Sequence, residues 1–338
     1  MWQYDPIIAS IIILVLPLLL IHIIIKKLMM NEAAASESES DTIMMFCASC
    51  GTAEAEGDDG IKLKDCSACH LVKYCSVKCQ KEHRPKHKKA CKKRAAELRD
   101  EILFKQPESN HFGDCPICCL PLSSDERKNV MMSCCSKLIC IGCTFADMLR
   151  DIEGRRRLQN TCPFCRTATP DTDEGTKEQI MKRIEANDPV AMCSMGTKRY
   201  YGGDHKAAFE YWSRAVALGD VRANYELSAL YREGRGVEKD IKRALHHLAE
   251  AAIGGHPIAR FNLGRVEEDN GRMDRAAKHW IIAAKLGEDK SLQAVTKAYR
   301  NGYVSKDDFE AALRGHKAAV DATNSRQREA AIKFFIKV

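Results

Sequence analysis

The chain has 338 residues, with 53 basic side chains against 46 acidic ones and a formal net charge of +7. With 45% hydrophobic residues and 10 prolines, wholesale disorder and collagen-like or low-complexity architecture are excluded, and the length makes room for two to four modest domains. The charge excess is too small to imply nucleic acid, which is not indicated as a partner. The unusual residue is cysteine: there are 17, all but Cys193 between Cys47 and Cys165, a density that calls for disulfides or metal.

The N-terminal stretch Ile7–Ile25 (IIASIIILVLPLLLIHIII) is interrupted only by Pro17 and His22. At about 1.5 Å per helical residue it roughly matches a 30 Å hydrocarbon layer. A cleaved signal peptide carries positive charge before its apolar region, whereas here Asp5 precedes it and Lys26 and Lys27 follow. The expectation is therefore an uncleaved, single-pass transmembrane anchor over residues 7–25, with everything after Lys27 in the cytosol. Thiols stay reduced there, which favours metal over disulfides. Residues 31–45 open with the acidic NEAAASESESD, which has no apolar face to bury and is expected to be a flexible linker.

Cys47-x-x-Cys50, Cys66-x-x-Cys69, Cys75-x-x-x-Cys79 and His87-x-x-x-Cys91 supply eight ligands in pairs, enough for two closed tetrahedral Zn²⁺ sites. Structural zinc of this kind contributes folding energy and leaves no open position for a substrate. The segment YCSVKCQKEHRPKHKKAC, Tyr74 to Cys91, resembles the second half of a MYND zinc finger, and the resemblance extends over residues 47–91. It implies interleaved ligation, with Cys47, Cys50, Cys75 and Cys79 on one ion and Cys66, Cys69, His87 and Cys91 on the other, leaving His83 outside. It also implies protein–protein contact, often with proline-containing peptides. Arg84 stands where the family usually has tryptophan, and the loop Gly51–Asp65 is longer than typical. The basic run from Lys81 to Arg94 lacks interleaved aromatics and reads as a solvated face.

A second cluster follows: Cys115-Pro-Ile-Cys118, Cys134-Cys135, Cys140-x-x-Cys143 and Cys162-Pro-Phe-Cys165. It resembles a RING domain over residues 115–166. The resemblance implies a cross-brace, with Cys115, Cys118, Cys140 and Cys143 on one zinc and Cys134, Cys135, Cys162 and Cys165 on the other. Lys137 occupies the position where the family usually has a ligating histidine; an all-cysteine variant accommodates this, with Cys119 as an alternative ligand to Cys134 or Cys135. The family binds a ubiquitin-loaded conjugating enzyme and orients its thioester. Ile117 and Pro163 match its apolar contacts to that enzyme, and Arg166 matches its bridging cation, a role that suits a multi-donor guanidinium.

Beyond a polar hinge at Arg166–Lys177, the chain repeats itself every 32 to 36 residues, roughly the period of helical-hairpin repeats. First helices start at Asp188-Pro189, Asp220-Val221 and His256-Pro257. Second helices stop at Gly219, Gly255 and Gly287, residues free to take a left-handed cap. A degenerate fourth copy runs from Ser291 to about Asp321, and the tail 323–338 is expected to cap the stack. The segment ALYREGRGVEKDIKRALHHLAEAA, Ala229 to Ala252, resembles Sel-one-like repeats of tetratricopeptide type, which implies an α-solenoid over residues 188–322 that recognises protein or peptide. Trp212, Trp280, Tyr211 and Phe209 read as core, and His246 and His247 as surface or groove residues.

No phosphate loop, nucleophile triad or open metal site appears, and no side chain is assigned covalent catalysis. The predicted fold class is multidomain: an N-terminal transmembrane helix, two small cross-braced zinc domains (MYND and RING) and a C-terminal all-α solenoid. The expected cofactor is zinc, four ions, two per module. The expected function is a membrane-anchored RING-type ubiquitin ligase, with ubiquitin, its conjugating enzyme, client proteins and a membrane as partners; the alternative is a non-enzymatic zinc-dependent adaptor.

Overall fold

The computed structural model describes residues 46–55, 61–152 and 161–336. The chain divides into two compact units, Met1–Ala96 and Glu97–Val338. The apolar run at residues 7–25 lies outside the described residues. Among those described, no helix is long and apolar enough to cross a membrane. The longest, Val77–Leu103 with 27 residues, would reach across a bilayer, but it is crowded with lysine and arginine, whose charges are costly there. The membrane-anchored architecture and the single-pass location are therefore corrected: the fold is two cysteine-cluster modules and a helical solenoid.

In the first unit, strand β1 (Lys64–Asp65) pairs antiparallel with β2 (Lys73–Tyr74), Lys64 opposite Tyr74. Helix α1 (Val77–Leu103) follows, its first turn capped by Ser76 Oγ, which accepts from the Cys79 amide at 3.2 Å. The small core here is mostly thiol: Cys47, Cys66, Cys69 and Cys79 are buried with Leu63 and Tyr74. So few apolar side chains cannot hold a domain of this size alone, and metal is the natural supplement.

The second unit opens with the second cysteine module. Strands β3 (Asn129–Met131) and β4 (Leu138–Cys140) form an antiparallel pair, and helix α2 (Ile141–Ile152) follows directly. The solenoid comprises α3 (Asp173–Glu185), α4 (Pro189–Tyr201), α5 (His205–Ala217), α6 (Val221–Glu233), α7 (Ile241–Ile253), α8 (Pro257–Asp269), α9 (Met273–Lys285), α10 (Asp289–Arg300) and α11 (Lys306–Ala322). Part of the expected hinge is helix: Thr172 Oγ1 accepts from the Gly175 amide at 3.1 Å and starts α3 inside it. Asp188, Asp204, Asp220 and Asp240 cap successive helices in the same way, and Gly219, Gly255 and Gly287 take φ of 86°, 86° and 84° where the second helices end.

Close helix approach is set by one recurring pair. An alanine Cβ at Gly196 would lie 2.6 Å from the Trp212 indole, and one at Gly264 would lie 2.3 Å from the Trp280 indole. The glycines are thus the sockets for two buried tryptophans, so the aromatic residues are core, and Trp212 Nε1 donates to the Cys193 carbonyl at 3.1 Å.

The last turn of α1 and the segment that follows it pack against the solenoid. Buried Arg260 donates to the carbonyls of Leu103 and Ala252. Arg275 pairs with Asp100 and sits 4.8 Å over the Phe104 ring. The His111 amide donates to the Gly255 carbonyl at 3.2 Å, and its ring stacks on His256 at 4.3 Å. Glu126, beside β3, pairs with Arg222 at 2.9 Å.

Helix α12 (Arg326–Phe335) finds its partner in α2 of the second cysteine module. Ala331, Ile332 and Ile336 pack with Ile141, Phe145 and Met148, and the Phe145 ring lies 5.2 Å from that of Phe334.

Candidate metal centres and interaction surfaces

Five of the cysteine turns share one local geometry. The residue after the second cysteine is left-handed: Gly51, His70, Cys119, Ser136 and Arg166 have φ of 74°, 53°, 55°, 55° and 62°. In each, that residue's amide donates back four residues, to Cys47, Cys66, Cys115, Met132 and Cys162, at 2.8–2.9 Å. The turn folds the chain into a hook and aims its two thiols at one point, which is why the cysteines of one turn serve one ion.

The structure brings the donors into four quartets: Cys47, Cys50, Cys75 and Cys79; Cys66, Cys69, His87 and Cys91; Cys115, Cys118, Cys140 and Cys143; Cys134, Cys135, Cys162 and Cys165. Within each, the donor atoms all lie within 4.8 Å of one another. Sulfur–sulfur separations are 3.5 Å for Cys50–Cys75, 3.6 Å for Cys75–Cys79, 3.8 Å for Cys66–Cys91 and Cys118–Cys140, 3.3 Å for Cys134–Cys165 and 3.9 Å for Cys135–Cys162. A tetrahedron with metal–sulfur bonds of about 2.3 Å has edges of about 3.8 Å. These spacings fit zinc and are far longer than a disulfide bond, and the cysteines are free. Cys119 is exposed and outside every quartet.

The thiols also divide electrostatically. Burial opposes ionisation of Cys47, yet backbone amides at Cys50, Cys75 and Ser49 hold it down at about 6. Hydrogen bonds with Cys50 and Cys79 push its neighbour Cys75 up to about 12. Burial and the nearby Cys66 raise Cys91 to about 11, and burial drives Cys134 and Cys143 upward as well. Thiolates this close repel one another, and a divalent cation among them removes the conflict. The sites can hold zinc, four in all.

Two supporting side chains carry no motif. His83 hydrogen-bonds the Tyr74 hydroxyl at 3.1 Å and stacks on the His87 ring at 5.7 Å, fixing that ring's plane. Arg328 of α12, 5% exposed, donates to Cys118 Sγ at 3.3 Å and to the carbonyls of Pro121 (2.6 Å), Leu120 (3.1 Å) and Thr323 (2.9 Å). Burial opposes its charge, but the Cys118 sulfur holds the guanidinium firmly protonated. Elsewhere His247 bonds Asn224 at 2.9 Å.

At the surface of the second module, Ile117 and Phe164 are 39% and 43% exposed. Pro163 is half-buried and Arg166 exposed.

A MYND finger family model matches residues 47–91, and a Sel1 repeat model matches residues 189–220 and 221–256. The chain carries a MYND finger and Sel1 repeats. Both matches leave out residues 115–166, whose likeness to RING domains rests on their own cysteines. No curated protein matches the chain. Among solved structures, c5321, a protective antigen of uropathogenic Escherichia coli strains described as displaying an SLR fold, is 28% identical over 44% of this chain and 33% of its own, with a TM-score of 0.36. A Sel1 repeat protein from Oxalobacter formigenes is 22% identical over 57% of this chain and 75% of its own, with a TM-score of 0.40. This chain spans about one third of the length of the first of these. The MYND finger and Sel1 repeats point to a zinc-binding protein that works through protein–protein contact.

Proposed function

We propose that this is a ubiquitin ligase of RING type, in which the sixteen quartet residues bind four zinc ions. In this reading the second module, residues 115–166, receives a conjugating enzyme, while the MYND finger at 47–91 and the solenoid at 188–322 hold protein clients. The observation that carries it is the interleaved order of the two quartets in the second module, first cysteine pair with third and second with fourth. Interleaving ties two loops and a helix into one rigid platform, and a rigid platform is what catalysis by positioning needs. Ile117 and Phe164 are exposed on the two metal loops, apolar groups that burial against a partner would favour, with Pro163 beside them. Arg166 follows the last ligand and is free to donate to two partners at once. No covalent intermediate on this chain is required; ubiquitin passes from the conjugating enzyme's thioester to a client lysine.

The test is chain assembly in vitro with ubiquitin, its activating enzyme, a panel of conjugating enzymes and ATP. The double variant Ile117→Ala with Arg166→Ala should assemble chains at least about tenfold more slowly than wild type, since two interface contacts of about 1 kcal/mol each are lost, with its zinc content unchanged. Equal rates would refute the assignment of these residues. A wild type that builds no chains with any conjugating enzyme would leave the adaptor reading in its place.

A further inference from the structure

The MYND finger has a groove whose character differs from what its family resemblance implies. A cavity of about 390 Å³ lies between the Cys66–Cys69 turn and helix α1. Its apolar lining comes from Ala68, Tyr74 and Val77, with Val77 66% exposed and Tyr74 buried. Along its rim stand Lys81, Arg84, Lys88 and Lys92. These follow one another at three- and four-residue steps, so they form a stripe on one face of the helix. All four are exposed, no carboxylate lines the groove, and no ion pair engages any of them among the described residues.

Arg84 stands where the resembled family has tryptophan, and no exposed aromatic ring lines the groove. A proline ring or a nucleobase would have nothing to stack on. The remaining recognition is apolar contact on the floor and charge pairing on the rim. Lys81 to Lys92 spans eleven residues, about 16 Å of helix, which is the length of about five residues of extended chain. We propose that this groove binds an acidic peptide in extended conformation, with apolar side chains toward Val77 and carboxylates toward the Lys81, Arg84, Lys88 and Lys92 rim. The inference rests on the reading of the finger as a client-binding surface and names the client chemistry: an acidic segment rather than a proline-rich one.

The experiment is fluorescence anisotropy on the zinc-loaded full chain with four labelled probes. They are the acidic peptide LEDLEDL, its amide counterpart LQNLQNL, an uncharged proline-rich heptapeptide and a single-stranded oligonucleotide. The acidic peptide should bind at least tenfold more tightly than the amide form and weaken as salt rises. Arg84→Glu with Lys88→Glu should cost at least tenfold, and Arg84→Gln with Lys88→Gln a smaller factor in the same direction. Lys89→Glu with Lys93→Glu changes the charge equally but off the groove lining and should cost less than threefold. Zinc content and circular dichroism of each variant should match wild type. Equal binding of LEDLEDL and LQNLQNL, or equal loss in the off-groove control, would overturn the proposal. Preference for the proline-rich probe would overturn it while leaving the finger a client surface; preference for the oligonucleotide would overturn it in favour of nucleic acid. Failure of every probe would overturn both the proposal and the client-surface reading.

Discussion

Removing the Arg328 guanidinium should loosen both the terminal helix and one metal site. Three contacts, to Cys118 Sγ and to the carbonyls of Leu120 and Pro121, tie α12 to the first metal loop of the second module, and a fourth, to the Thr323 carbonyl, closes the turn before α12. A hydrogen bond from a charged donor contributes about 1.5–3 kcal/mol, but burying the guanidinium takes back much of that sum. A net loss of about 1–3 kcal/mol in α12 docking is expected for Arg328→Leu, the cost of leaving buried carbonyls without a donor. Because one contact is to a ligand sulfur, zinc affinity at the Cys115, Cys118, Cys140 and Cys143 quartet should also fall, by about 10- to 100-fold. A chelator titration should then show one of four zinc ions leaving early, and hydrogen exchange should show residues 326–335 deprotected. Gly142→Ala approaches the same contact from the other side. Its Cβ would lie 2.8 Å from Arg328 Cγ and 3.0 Å from its Cα, so it should displace α12 and release the same zinc early while keeping the guanidinium. Zinc release and exchange profiles of Arg328→Leu that superimpose on wild type would show that Arg328 supports neither the helix nor the metal site.

Gly264→Ala places a methyl 2.3 Å from Trp280 Nε1 and should destabilise the solenoid by about 1–3 kcal/mol, read by urea unfolding followed by tryptophan fluorescence. Burial, reinforced by Glu126 and Asp220 and only partly offset by Arg222, raises the Glu226 carboxyl from 4.5 to about 7. The folded state therefore holds this proton more tightly than the unfolded chain, so this group's contribution to stability is fully present below about pH 4.5 and is lost as pH rises through about 7. Glu226→Gln should flatten that decline and gain about 1–3 kcal/mol at pH 8, after allowance for its partial exposure. Unfolding of both forms at pH 6 and pH 8 checks the sign; a variant less stable than wild type at pH 8 would reverse it.

Local features were largely legible in the sequence. Paired cysteines announce the metal-binding hooks because the hook is a four-residue turn. The hairpins declare themselves through Asp188, Asp220 and the glycines at 219, 255 and 287, since caps are local chemistry. What the sequence hid was long-range. Nothing in RQREAAIKFF marks α2 as the partner of α12, and Arg328 looks like any surface arginine until Leu120 and Pro121 arrive from two hundred residues away. His83 was outside the ligand pattern because its role, stacking on His87, is orientation rather than ligation. Thr172 was a readable helix start inside a stretch whose polarity argued for a hinge. The apolar run at Ile7–Ile25 satisfies length and hydrophobicity rules for a membrane helix but lies outside the described residues, among which no helix is long and apolar enough to cross a membrane.

Whether all four quartets fill with zinc is read from zinc per chain by elemental analysis of the full protein, with free thiols counted before and after chelation. The expected result is four zinc ions per chain, with the fifteen quartet cysteines protected and Cys119 open to alkylation. Two zinc ions per chain, with all eight cysteines of the two second-module quartets reactive, would contradict it and remove the platform on which the ligase reading stands.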